Sequence, residues 1–227
     1  MAIDNEKAVL YSKLQNIPRT LELKRYLEQT PSQPKEGRHI LAQYDDDTIV
    51  VYQAFCPEIA EYAVKNQKFG GDCYRFTRMS WIKTSFCWMQ YRSGWNMKPG
   101  QERTLAIRIK RKAFDYIFSM AFPASFPESG MASREEYDAA KAKSQVRSQW
   151  DPDYKPAINR EPLKRRAIQL GLRGDILAKY ATEWIVSIED ITTYVQETRE
   201  RLNTLPRVWL PLERIYHPQK VTDISEL

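Results

Sequence analysis

Residues 48–66 read TIVVYQAFCPEIAEYAVKN, and the way this stretch divides decides the fold. Its first eight residues, Thr48 to Phe55, are rich in β-branched and aromatic side chains and stand between Asp45-Asp46-Asp47 and Pro57. That composition and those boundaries predict a strand. The Asp cluster predicts a turn that pairs it with residues 39–44. Pro57 suits the first turn of a helix, where its fixed φ is already helical and its missing N–H is not needed. The helix runs through PEIAEYAVKNQKF to a stop at Gly70-Gly71.

Outward from this unit, Leu105, Ile107 and Ile109 alternate with Ala106, Arg108 and Lys110. Period two predicts a strand over Thr104 to Lys110 with one buried face and one wet face, the latter a short basic ladder. Residues 111–121 and 191–205 predict helices, and Glu183 to Ile188 a strand. Ser80 as cap, apolar side chains at Ile82, Phe86 and Met89, and Gly94 as terminator predict one helix over 80–94. PLKRRAIQLGLRGDILAKYA, residues 162–181, also reads as helical.

Residues 123–159 gather Pro, Ser, Gly and Lys around a short polar helix at SREEYDAAKAK and read as a loop-rich excursion or lid. Residues 1–37, with an amphipathic segment near Leu10 to Leu27, read as a peripheral N-terminal segment. Residues 38–205 read as the core, and 206–227 as a tail with Pro206, Pro211 and Pro218. Strands and helices intermix without regular alternation. That predicts a single α+β domain with a central, mostly antiparallel sheet, whole or split, flanked by helices.

The totals narrow the function classes. A chain of 227 residues with 42% hydrophobic and 28% charged residues buries a sizeable core. Its 35 basic and 29 acidic residues leave a charge of +6. The surplus suits anionic partners or a solvated basic surface alike. Cys56, Cys73 and Cys87 lack CxxC spacing, and only His39 and His217 are present, so neither a disulfide framework nor a metal site is expected. The charged N-terminus and the lack of a long apolar run predict a cytoplasmic protein without a membrane partner. Phosphate-loop, dinucleotide-loop, nucleophile-elbow and HExxH motifs are absent from the sequence.

Candidate site residues cluster in three places. Read as a helix, WIKTSFCWMQYRSGW places Trp81, Trp88 and Trp95 seven apart, about 20° short of two turns and so on one stripe with Arg92. Either the tryptophans fill a core, or they form a stacking surface on which Tyr91, Arg78, Lys83 and Arg92 meet phosphate. Next, Gln101, Glu102 and Arg103 stand where a loop enters a strand, with Glu102 a candidate base or ribose contact, or part of an exposed turn. In LKRRAIQLGLRG, Arg166, Gln169 and Arg173 share one helical face as a phosphate clamp or a solvated surface. Asp151 and Asp153 suit a turn, or a metal or acid–base step. Glu189 is a second candidate carboxylate, while Asp190 suits a helix cap.

The phrases TIVVYQAF, RMSWIKTSFCWMQYRSGW, LAIRIKR, QWDPD and RRAIQLGLRG resemble the family catalogued as domain of unknown function 4291, over roughly residues 38–200. That resemblance implies a common fold and little mechanism. The order of a strand ending in Tyr52-Gln53, a helix, an aromatic segment, a strand and a late strand with Glu189 is similar to compact ADP-ribosyltransferase domains, which bind NAD in the cleft of a split sheet. Those domains carry Arg or His on the first strand, where Gln53 stands here. The expectation is an enzyme acting on a nucleotide-bearing substrate, a transferase with NAD as candidate cofactor. The alternative is an RNA- or DNA-binding module.

Overall fold

The computed structural model describes residues 17–159, 161–203 and 208–221. In chain order its elements are β1 (Leu23–Arg25), α1 (Tyr26–Gln29), β2 (Glu36–Arg38), β3 (Ile40–Ala42), β4 (Thr48–Phe55), α2 (Pro57–Asn66), β5 (Ser80–Lys83), α3 (Phe86–Ser93), β6 (Arg103–Lys110) and α4 (Arg111–Ser119). There follow β7 (Ala121–Pro123), α5 (Phe126–Ser129), α6 (Arg134–Lys143), β8 (Val146–Tyr154), β9 (Pro162–Leu172), α7 (Gly174–Thr182), β10 (Ile185–Asp190), α8 (Thr192–Glu200), β11 (Trp209–Pro211) and β12 (Arg214–Tyr216). This is an α+β single-domain fold with mostly antiparallel pairing. Residues 1–16, including the first part of the amphipathic segment expected near Leu10 to Leu27, lie outside the described residues, as do 204–205 at the end of the helix expected over 191–205 and 206–207 and 222–227 of the tail.

The main sheet runs β10-β6-β4-β5-β9-β8-β7, with β2 beside β9. It is nearly two sheets. β4 and β6 pair over eight residues, and β8 and β9 pair along most of their length, yet β4 meets β5 only at Tyr52 and Lys83. Because the pair is antiparallel, Gln53 to Phe55 diverge from Trp81 and Ser80 beyond that point. Both faces of the β4–β6 block are covered. Ile49, Val51, Leu105 and Ile107 pack in one cluster with Ala60, Phe114, Ile117 and Tyr180. Val50, Tyr52 and Ala106 pack in another with Phe86, Met89, Trp95 and Tyr194. The wet face expected for β6 is therefore a covered one, because α3 and α8 sit upon it. Arg108 is half-buried and bonded to Asp45, Thr48 and the Thr20 carbonyl.

Three expectations are corrected. The helix expected over 80–94 is strand β5, a break at Thr84-Ser85, and then α3. Ser85, not Ser80, is the cap: its Oγ accepts the Trp88 N–H. Gly94 ends the helix in the left-handed region as expected. Trp81 pairs with Gly171 in the sheet, and Trp95 follows the cap at positive φ, so the tryptophan stripe does not exist. The first half of the 162–181 segment is strand β9. Lys164 and Arg166 face out while Arg165 and Ala167 face in, a period of two disguised by a buried arginine. Finally, the excursion over 123–159 holds β8, a strand of the main sheet in which Asp151-Pro152-Asp153 lies extended instead of turning. β7 pairs only with residues 146–148, so the missing N–H of Pro152 lies beyond it and costs no ladder bond.

Both ends of the described chain are tied down. β1 pairs with β11 and β12 with β3. The predicted turn at Asp45 to Asp47 is closed by Asp45 accepting Thr48 N–H, by a Tyr44–Ile49 bridge and by Val50 N–H on the Gln43 carbonyl.

Candidate functional site

Four residues line up across the sheet. Tyr52 stands opposite Lys83, Lys83 opposite Gln169, and Gln169 opposite Gln149, on β4, β5, β9 and β8 in turn. Residues directly opposite one another share a face, so this row faces α3. Tyr52 is sealed against Phe86 with its hydroxyl lacking a partner among the described residues. The other three form the floor of a cavity of about 610 Å³ at the point where β4 and β5 part. Trp81, two residues before Lys83 and half-buried, lies on the same face. Its ring passes over Gly171, where an added Cβ would stand 3.0 Å from the indole and 2.7 Å from Met79 Sδ. Met89 and Arg92 of α3 form one wall, and residues 73–79 another, with Arg78 exposed at the rim.

The polar groups of the floor are held in fixed orientations. Gln149 and Gln169 each donate Nε2 to Asp151, at 2.8 and 2.7 Å, one to each carboxylate oxygen. A carboxylate can only accept, so each amide is left with its carbonyl oxygen to offer a ligand. Gln53 spans the gap between the strands, donating Nε2 to Ser80 Oγ and the Trp81 carbonyl. Lys83 is 5% exposed, and among the described residues its Nζ has the Trp81 carbonyl as its acceptor, at 3.4 Å. Among the described residues no carboxylate forms an ion pair with it. Burial lowers its pKa to about 7, assisted by the Arg92 charge and opposed by that of Asp151. Cys56 and Cys73 also line the cavity, but burial raises the Cys56 thiol, which disfavours the reactive thiolate.

Seven of the residues singled out from the sequence line this cavity: Gln53, Arg78, Trp81, Lys83, Arg92, Gln101 and Gln169. The rest lie elsewhere. Trp88 stacks on Tyr91 and Tyr154, whose two rings lie face to face at 3.6 Å. Trp95 is buried edge-on to Phe86. Glu102 does not line the cavity and accepts Gly100 N–H on one oxygen. Arg103 is paired with Asp190 and Glu61. The expected clamp is dispersed: Arg166 is exposed on β9, and Arg173 binds the carbonyls of Ala142 and Ser144 at the end of α6. Glu189 accepts the N–H groups of Arg19 and Thr20 and the Thr20 hydroxyl, tethering the N-terminal segment. Asp190 is not the cap of α8, a position that Ile191 holds without a side-chain bond, but one residue earlier it accepts Thr192 N–H.

The sequence reading missed Gln149 as a partner of Gln169, because only the β8–β9 register places it there. The signal available was the pair Gln149 and Asp151, two apart and on one face once the segment is extended.

The model of one protein family matches residues 39–216. The chain belongs to the family described as domain of unknown function (DUF4291). No curated protein matches it. The family region contains every residue of the cavity, from Gln53 to Gln169, together with the whole of the main sheet apart from β2 (Glu36–Arg38). Among the described residues there is no group of three potential metal ligands, and no helix is long and apolar enough to cross a membrane.

Proposed function

We propose that the chain is an enzyme acting on a nucleotide or nucleotide-bearing substrate held in the cavity between the two halves of the sheet. One observation carries the reading: a half-buried indole, two exposed guanidinium groups and a row of oriented amides line the same hollow. Its volume of about 610 Å³ falls within the range of small-molecule sites. Trp81 offers a stacking face for a base. Arg78 and Arg92 offer charge and paired donors for phosphate. The carbonyl oxygens of Gln149 and Gln169 suit an amino or carboxamide N–H of the ligand. A sheet that parts at its ligand site is also the layout for which ADP-ribosyltransferase domains are known, and this fold-level analogy makes NAD the first compound to test.

The nucleic-acid alternative draws on the same basic residues, and several of them are committed within the protein. Arg165 is buried against Asp153, Arg173 is bonded to backbone carbonyls, and Arg103 and Arg108 are paired with carboxylates. That favours the small ligand.

Thermal unfolding with NAD, ADP-ribose or AMP tests the reading. At a concentration of about 100 Kd, stabilisation is about 2.7 kcal/mol, which in a chain of this size raises Tm by roughly 5–10 °C. Trp81→Ala and Arg92→Ala should abolish the increment. No shift with any nucleotide at millimolar concentration would overturn the proposal, and a shift with oligonucleotides that vanishes steeply with salt would favour the alternative.

A further inference from the structure

Lys83 stands out within the cavity because its surroundings do not suit an ammonium ion. It lies on the strand at the point where the sheet parts, with its amine at the cavity floor and a backbone carbonyl as its hydrogen-bond acceptor. The charged groups around it come from three elements. Arg92 of α3 repels its proton, Asp151 of β8 attracts it, and Arg78 at the rim adds positive charge to the same hollow. Both oxygens of Asp151 are already occupied by the amides of Gln149 and Gln169. A buried ammonium without an ion pair is costly, so the uncharged amine is the form this place favours. A neutral lysine amine at the bottom of an open pocket is a nucleophile toward carbonyl carbon.

We propose that Lys83 forms an imine with the aldehyde or ketone of a ligand that also carries an anionic group, bound by Arg78 and Arg92, and a flat portion resting on Trp81. The Nζ lone pair adds to the carbonyl carbon to give a carbinolamine. The carbonyl oxygen then leaves as water, taking both hydrogens of the amine, and the C=N bond remains. The reaction consumes no oxidant or reductant. The inference rests on the cavity being a ligand site, but not on that ligand being a nucleotide.

Pyridoxal 5′-phosphate is a suitable probe, since it joins an aldehyde, a flat ring and a phosphate in one molecule. The intact protein is incubated with it at about equimolar concentration, reduced with borohydride, digested and mapped by mass spectrometry. The expected result is one dominant secondary-amine adduct at Lys83, half-maximal near pH 7, whereas exposed lysines react fully only toward pH ~10. Pyridoxal without the phosphate should label at least about ten-fold less, and Arg92→Gln should remove that preference. Labelling spread evenly over surface lysines, or labelling of Lys83 only under alkaline conditions, would overturn the proposal. Nucleotides serve as competitors to separate this inference from the one above. Labelling at neutral pH that AMP and NAD fail to block upholds Lys83 and removes the nucleotide reading. Nucleotide-induced stabilisation with Lys83 unlabelled at pH 7 does the reverse.

Discussion

Tyr180 donates its hydroxyl to Gln53 Oε1 at 2.8 Å, and both residues are buried. The bond settles which way the Gln53 amide faces. With its oxygen held by Tyr180, its nitrogen must reach across to Ser80 and Trp81, where backbone ladder bonds end. One side chain from α7 thus supports the parting of two strands in the sheet below. Tyr180→Phe removes the donor and leaves an acceptor buried. The expected cost is about 1–2 kcal/mol, read from the urea midpoint. A double-mutant cycle with Gln53→Leu should show coupling of at least about 0.5 kcal/mol. Strict additivity would show that the two side chains act independently.

Gly171 makes room for Trp81. The requirement is space and not backbone freedom, since a Cβ there would collide with the indole and with Met79. Gly171→Val should therefore push the Trp81 ring off the sheet and partly close the cavity. Intrinsic fluorescence should change, and stabilisation by any cavity ligand should drop at least about ten-fold in concentration dependence. The fold should survive because β9 keeps its partners on both sides. An unchanged ligand response would show that Trp81 is not part of the binding surface.

Much of the scaffold was legible because its pattern is local. The run Thr48–Phe55, the proline that opens α2, the alternation of β6 and the glycine that ends α3 each declare themselves within a few residues. What failed did so for identifiable reasons. Three tryptophans at a spacing of seven look like one helical stripe, yet Ser85 starts the helix only after Trp81 has paired in the sheet. Arg165 broke the apparent alternation of β9 because its charge is paired inside with Asp153. The cavity itself depends on register among β4, β5, β9 and β8, which are joined by contacts far apart in sequence. Residue type pointed to Trp81, Lys83, Arg92 and Gln169, but no spacing in the chain reveals that Lys83, Gln169 and Gln149 form a row.

Asp153 and Arg165 form a buried ion pair at 2.7 Å, and Asp153 also accepts the hydroxyl of Ser85, the residue that caps α3. Removing one partner strands a charge in the interior. Arg165→Met should therefore destabilise by about 3–5 kcal/mol, and Asp153→Asn by a similar amount. The double replacement Asp153→Leu with Arg165→Met leaves no unpaired charge and should recover a large part of the loss, apart from the cap bond. Urea denaturation of the three variants decides this. A double variant as unstable as the sum of the singles would show that the two side chains act independently and that neither single replacement strands the other's charge.

Glu213 and Lys83 give stability opposite dependences on pH. Burial raises the Glu213 carboxyl to about 8, further lifted by Asp153 and opposed by the Phe86 N–H it accepts and by Arg165. Its ordinary value is 4.5, so between these limits the folded state holds a proton that the unfolded chain has lost. Stability then falls as pH rises, by about 1.4 kcal/mol per unit for one proton. Lys83 is the reverse case, with its folded value near 7 and its ordinary one 10.5. From about pH 7 upward the unfolded chain holds the extra proton, so stability rises with pH. The two slopes cancel between 7 and 8, which places a minimum there. The recovery levels off above 9, where the raised thiols of Cys87 and Cys56 begin to favour the unfolded chain. Urea unfolding free energies at intervals from pH 5 to 9 should trace this trough. Glu213→Gln should flatten its acid side and Lys83→Met its alkaline side, whatever each does to absolute stability. A profile whose alkaline limb persists in Lys83→Met would mean that Lys83 is an ordinary charged lysine in the folded protein.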